Sequence, residues 1–280
     1  MATQTLLQHG KLGMGTWKLG DSSATRTEEI AALRYGIERG IAIIDTAEMY
    51  GSGRSENLVG EAVAPYPREH LYIISKVLPQ NANRRYLEQS LDASLKALQT
   101  DYLDMYLYHW RGGTPLAETI DTFEKMAEKG KIKAWGVSNF DLEDMQELLA
   151  EANGSHCRAN QVLYHLGSRG IEVALKPWQD QRHIPTIAYC PLAQAGALQR
   201  GLTNHPAVQQ IAAELNISVY QVLLCFTLSQ SNMVSIPRTG KPAHMKEIAD
   251  CLAISLSAEQ FGALNQAFPV PDGRVPLDVE

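Results

Sequence analysis

About eight times along this chain a short apolar run gives way to an amphipathic stretch, with no linker and no low-complexity segment between them. The runs at 43–45, 71–77, 102–108, 132–137, 159–163, 186–188 and 233–236 are rich in Ile, Val, Leu and Tyr, as strands buried on both faces are. Between them the apolar residues recur at helical spacing. The stretch 84–98 carries Leu87, Leu91, Leu95 and Leu98 on one face. The stretch 115–129 opens on Pro115 and is followed by Gly130, and Asp141 is placed to cap 142–151. Thr25 or Thr27 caps an earlier helix, with Glu28 and Glu29 in its first turn and Gly40 after its end. Further helices are expected at 55–63, 171–181 (interrupted before Pro177), 206–215, 218–228, 242–253 and 257–267. At the start, 5–9 and 11–16 read as two extended runs around Gly10, an N-terminal β-hairpin.

Strand and helix in alternation predict a parallel sheet. Eight such units in about 250 residues suit a closed (β/α)8 barrel better than an open doubly wound sheet. No GxGxxG follows a strand, which weighs against the dinucleotide-binding version of that alternative. The 280 residues are therefore expected to form a single domain, 1–280. The formal net charge of −6 at pH 7 argues against nucleic acid as the main partner. No run approaches the ~18 apolar residues a membrane span needs. The N-terminus shows no secretory signal. Cys157, Cys190, Cys225 and Cys251 form no CxxC pair and no zinc spacing with His, so they read as reduced thiols of a cytoplasmic protein that holds no metal.

The polar residues at the strand ends carry the chemistry. Asp45, Lys76, His109, Ser138, Gln161, Tyr189 and Arg238 fall at or just past successive strands, at intervals of 31, 33, 29, 23, 28 and 49 residues. In a barrel all those ends meet at one face, where active sites sit. Singly each has a bland explanation: a helix cap, a solvated lysine, a packed histidine. Together they form a coherent set. A carboxylate ending a buried strand is costly unless paired, and Lys76 on the next strand is the cation for Asp45. A charged lysine beside Tyr50, five residues past Asp45, is expected to lower the phenol's pKa from about 10 by ~1–3 and make it a general acid. His109 can orient a carbonyl oxygen. That set suits reduction of a carbonyl, given a hydride donor. No metal or flavin signature is present, so the donor is expected to be a nicotinamide, with Ser138, Asn139 and Gln161 on its carboxamide and Tyr189 stacked on its ring.

Over nearly its full length the sequence resembles the aldo-keto reductases. The likeness is carried, in order, by Gly13-Met14-Gly15-Thr16-Trp17, Asp45-Thr46-Ala47-Glu48-Met49-Tyr50, Ser55-Glu56-Asn57-Leu58-Val59-Gly60, Ser75-Lys76-Val77, Leu107-Tyr108-His109-Trp110, Gly136-Val137-Ser138-Asn139-Phe140, Asn160-Gln161-Val162-Leu163-Tyr164-His165 and Ile236-Pro237-Arg238-Thr239. The resemblance implies a (β/α)8 barrel, NADPH as coenzyme, and a catalytic tetrad of Asp45, Tyr50, Lys76 and His109. It implies coenzyme contacts from Gly15, Thr16, Trp17, Asp45, Ser138, Asn139, Gln161 and Tyr189. It extends those contacts through Pro191, Leu192 and Gln194 to Ile236, Arg238, Thr239, His244 and Glu247. Trp17, Tyr50, His109 and Trp110 would meet the substrate. Within the family, residues 164–170 and 192–196 resemble bacterial reductases of methylglyoxal and other small aldehydes.

The chain departs from the family pattern at the adenosine end. His244 stands where the family has the arginine that holds the 2′-phosphate, and Ile248 matches its adenine-binding asparagine, so some use of NADH is expected. The segment 111–115 and the tail after Pro269 are short, which leaves a shallow substrate pocket. A monomer with a small carbonyl substrate and no membrane partner is expected. Two rivals stay open: a slow-turnover coenzyme-binding sensor subunit on the same fold, and a Schiff-base lyase using Lys76 as nucleophile.

Overall fold

A computed structural model of the chain describes residues 6–193 and 197–279. Eight strands lie in sequence order, each parallel to the next. They are β1 (Gly13–Gly15), β2 (Ile43–Asp45), β3 (Tyr72–Val77), β4 (Met105–Tyr108), β5 (Trp135–Ser138), β6 (Asn160–Leu163), β7 (Thr186–Tyr189) and β8 (Met233–Ser235). Parallel bridges from Leu12 to Ser235 and from Gly15 to Arg238 join the last strand to the first, giving a (β/α)8 barrel. Around it run α1 (Arg26–Glu38), α2 (Arg54–Val63), α3 (Leu87–Leu98), α4 (Leu116–Glu128), α5 (Leu142–Ala150) and α6 (Leu175–Asp180), then α7 (Ala197–Thr203), α8 (Pro206–Leu215), α9 (Val219–Leu228), α10 (Pro242–Asp250) and α11 (Ala258–Ala267). Among the described residues no single helix is long and apolar enough to cross a membrane.

The two-residue period of a strand sorts side chains into two cores. Ile43, Ile74, Met105, Leu107, Ile187 and Val234 pack inside the barrel, while Ile44, Ile73, Tyr106, Val137 and Val162 face the helices. The same parity aims the polar strand ends. Asp45 follows Ile43 by two positions, Lys76 follows Ile74, His109 follows Leu107 and Tyr189 follows Ile187, so all point inward above the apolar plug. Two glycines allow the strands to close this tightly. A Cβ at Gly15 would lie 2.8 Å from the Ile236 carbonyl oxygen, and one at Gly136 2.6 Å from that of Ala159.

The expected N-terminal hairpin is overturned. Leu6–His9 is a 3-10 turn whose Leu6 joins the barrel's inner core, and Gly13–Gly15 is a barrel strand with β2 on one side and β8 on the other. With both edges taken, β1 has no face left for an antiparallel partner. Helix ends also move. Asn83 Oδ1 accepts from the backbone N–H of Arg85 and Tyr86, a local turn that delays α3 to Leu87. Thr25 precedes α1, but its hydroxyl donates to Glu29 Oε1 at 2.9 Å and caps no backbone group. The expected break before Pro177 falls at Val173 and Ala174, and Pro177 sits in the first turn of α6, where its missing N–H costs nothing. Helix α7 was not expected at all. Asp141 does cap α5, in a reciprocal box with Asp144.

Candidate active site

β2 and β3 deliver the pair at the centre. Lys76 Nζ donates to Asp45 Oδ1 at 2.6 Å and to the Thr46 carbonyl at 2.7 Å, with Lys76 fully buried and Asp45 1% exposed. Its third donor meets the Tyr50 hydroxyl at 3.3 Å. Asp45 Oδ2 accepts from Gln161 Nε2 at 2.7 Å, so both carboxylate oxygens are used. Burial alone would push the Lys76 ammonium down, but Asp45 and Tyr50 beside it hold its pKa above the ordinary lysine value. The lysine is a fixed cation, satisfied on all three N–H bonds.

The expectation that this cation lowers the Tyr50 pKa is corrected. Burial raises the phenol, Lys76 pulls it back in part, and Asp45 adds to the rise, leaving it above the ordinary value. Desolvation of the phenolate outweighs an ammonium whose charge is already half answered by Asp45. The phenol is therefore fully protonated at neutral pH, the state a proton donor requires.

His109 packs edge-on against Tyr50, ring centroids 5.9 Å apart. Burial and the Lys76 charge push its pKa down to about 3, so the imidazole is neutral. Its Nδ1 is buried and has no hydrogen-bond partner among the described residues. A bare lone pair is less costly there than an unpaired N–H, which assigns the proton to Nε2 and makes that nitrogen the donor. Asn139 adopts a left-handed backbone (φ 57°), tolerated by Asn, and receives the Tyr189 hydroxyl on Oδ1 at 2.9 Å.

These groups open into a cavity of about 310 Å³ lined by Gly15, Thr16, Trp17, Asp45, Tyr50, His109, Trp110, Ser138, Asn139, Gln161, Tyr189, Ile236 and Arg238. Sequence reasoning had missed Met49 and Cys190 in this lining; each adjoins a site tyrosine, a signal that was there to use. A second cavity of about 780 Å³ is lined by Leu192, Arg238, Thr239, His244, Glu247 and Ile248. Also on its wall are Gln199 of α7, Ser218, and Tyr220, Gln221 and Leu224 of α9, with Cys251, none of them expected. Their signal lies in the fold, since α9 reaches the groove only through the long β7–β8 connection. Arg238 lines both cavities, so they adjoin at its side chain and are read together as one groove. Pro191 is buried and lines neither cavity, and Gln194 lies outside the described residues.

A sequence profile described as the Aldo/keto reductase family matches residues 11–268. The chain belongs to that family and is an oxidoreductase of the aldo/keto reductase class. Methylglyoxal reductase YeaE of Escherichia coli (strain K12) is 47% identical over 268 residues, covering 96% of this chain and 94% of that protein. Glyoxal reductase of Bacillus subtilis (strain 168) is 33% identical over 255 residues, covering 90% and 87%. Among solved structures, an aldo/keto reductase from Klebsiella pneumoniae in complex with NADP and acetate superposes with a TM-score of 0.95 at 45% identity, covering 97% of this chain and 95% of that one.

Proposed function

We propose that the protein reduces methylglyoxal and other small or aromatic aldehydes to alcohols with NADPH, using Tyr50 as general acid. The observation that carries this reading is the Asp45–Lys76–Tyr50 chain of contacts, 2.6 and 3.3 Å, opening into a cavity that also holds a neutral His109. The groove suits a dinucleotide. Its inner half offers the amides of Asn139 and Gln161 and the ring of Tyr189, and its outer half offers Arg238, Thr239 and His244 for phosphate. When bound, NADPH supplies the hydride that reaches the carbonyl carbon. The Tyr50 hydroxyl gives its proton to the carbonyl oxygen, and the Lys76 ammonium stabilises the phenolate left behind. Asp45 keeps that ammonium charged and in place. His109 Nε2–H donates to the same oxygen as negative charge develops on it.

Substrate size follows from the walls. Trp17 and Trp110 are 38% and 37% exposed, and the polar lining beyond the tetrad, Thr16, Ser138, Asn139, Gln161, Tyr189 and Arg238, is the set assigned to the coenzyme, which leaves little to fix a large substrate. Kinship with the two named dicarbonyl reductases supports the same choice. The Schiff-base alternative loses support, because a lysine with a raised pKa is not a nucleophile. A panel of aldehydes and ketones followed by NADPH absorbance tests the proposal. Steady turnover of small aldehydes is expected and separates an enzyme from a coenzyme-binding sensor. Tyr50→Phe should lower kcat by at least ~10² while NADPH still binds; near-normal turnover of that variant would end the assignment.

A further inference from the structure

The loop that carries Tyr50 must hold a phenol against Lys76 while its outer side faces solvent. Backbone contacts hold its start and, through the Ser55 N–H of α2 on the Tyr50 carbonyl at 3.3 Å, its far end. Thr46 N–H donates to the Ile74 carbonyl at 2.9 Å, and Glu48 N–H reaches that of Lys76 at 3.4 Å, a long bond. From there Tyr50 N–H turns back onto Ala47 within the loop. The tie that reaches from the loop to the segment past Lys76 and to α3 is the Glu48 side chain. Its Oε1 accepts the Leu78 N–H at 2.6 Å and Asn81 Nδ2 at 3.1 Å, and its Oε2 accepts the Ser90 hydroxyl of α3 at 2.5 Å. Leu78 lies two residues past Lys76, and Tyr50 lies two residues past Glu48. A closed circuit results: from Glu48 along the chain to Tyr50, across to Lys76, along the chain to Leu78, and back to the Glu48 carboxylate.

We propose that Glu48 is a positioning residue that sets the separation of Tyr50 from Lys76. It does not line the catalytic cavity and acts only through the two residues its circuit joins. The inference rests on the reading of Tyr50 as proton donor and adds to it the group that aims the donor. A carboxylate suits the task because it accepts three neutral donors from two elements at once, and charge-assisted bonds of this kind are short and directional. A misplacement of about 1 Å at a reacting group can cost ~10² in rate.

The test uses the full-length protein with NADPH and methylglyoxal. Glu48→Ala should lower kcat ~10-fold or more with the dissociation constant of NADPH unchanged. Its pH profile should move too. With the ammonium farther off, the phenol's pKa rises, so the alkaline limb of kcat shifts to higher pH. Glu48→Gln keeps Oε1 as acceptor and lets Nε2 donate to the Ser90 hydroxyl, so it should recover most of the rate and the native pH profile. Ser90→Ala cuts one strand of the tie at little risk to folding and should give a smaller loss in the same direction. Wild-type kcat in Glu48→Ala overturns the proposal, as does an equal loss in the Ala and Gln variants with an unshifted profile. A crystal structure of Glu48→Ala decides the matter apart from any activity. A Tyr50–Lys76 separation unchanged from 3.3 Å overturns the positioning role. Failure of the wild type to reduce any aldehyde would instead overturn the proposed function.

Discussion

A histidine sealed beside a lysine ammonium takes up a proton only at a cost to the fold. His109 is held down to about 3 by burial and by Lys76, and His165, buried with Nδ1 accepting from Gly167 N–H at 3.1 Å, is held down to about 4 by burial. Unfolded, both would titrate near 6.5. Between about pH 6.5 and those folded values the unfolded chain binds more protons than the native one. The stability from keeping these rings neutral is therefore complete above the unfolded pKa and declines as the pH falls. The limiting slope is ~1.4 kcal/mol per pH unit for each ring. His109→Gln should flatten the fall by about one proton, so that wild type loses roughly 2 kcal/mol more than the variant between about pH 7 and pH 5. Urea unfolding at the two pH values measures it, and equal losses would mean that His109 takes up a proton in the folded protein.

At the scale of single elements, α9 offers the sharpest test. Ser218 and Gln221 cap it reciprocally, and the Ser218 hydroxyl also donates to Glu247 Oε2 at 3.0 Å on the wall of the outer cavity. Ser218→Ala should destabilise the fold by ~1 kcal/mol, seen as a lower urea midpoint with an unchanged slope. Elements of this kind were legible because their signals are local. Apolar runs ending in Asp45, Lys76 and His109 announced both the strands and the face where they open, and with Tyr50 they name the four side chains that the fold brings together. What was illegible depends on partners distant in sequence. Gly13-Met14-Gly15 is too short to show a period, and only its neighbours on both edges make it a barrel strand rather than half a hairpin. The direction of the Tyr50 pKa turned on burial, which a pair of nearby residues cannot reveal. Glu48 carries no signal of its own in the sequence; Leu78, Asn81 and Ser90, which meet its carboxylate, come from 30 to 42 residues away.

For the molecule as a whole, closing the barrel brings the end of β8 beside the loop after β1, and one side chain spans the junction. Arg238 Nε donates to the Trp17 carbonyl at 2.9 Å while the residue lines both cavities. The proposed phosphate-binding group therefore also holds in place a wall of the aldehyde pocket. Arg238→Met should raise the NADPH dissociation constant and the KM for methylglyoxal together, each several-fold on the scale of one lost charge-assisted bond. Coenzyme titration by protein fluorescence beside steady-state kinetics checks this, and a KM that stays put while coenzyme binding weakens would separate the two. Anyone retuning this scaffold toward a cheaper coenzyme meets the coupling at once. A library sampled at position 238 selects for electron donor and electron acceptor in the same stroke, and variants improved for the first drift in their taste for the second.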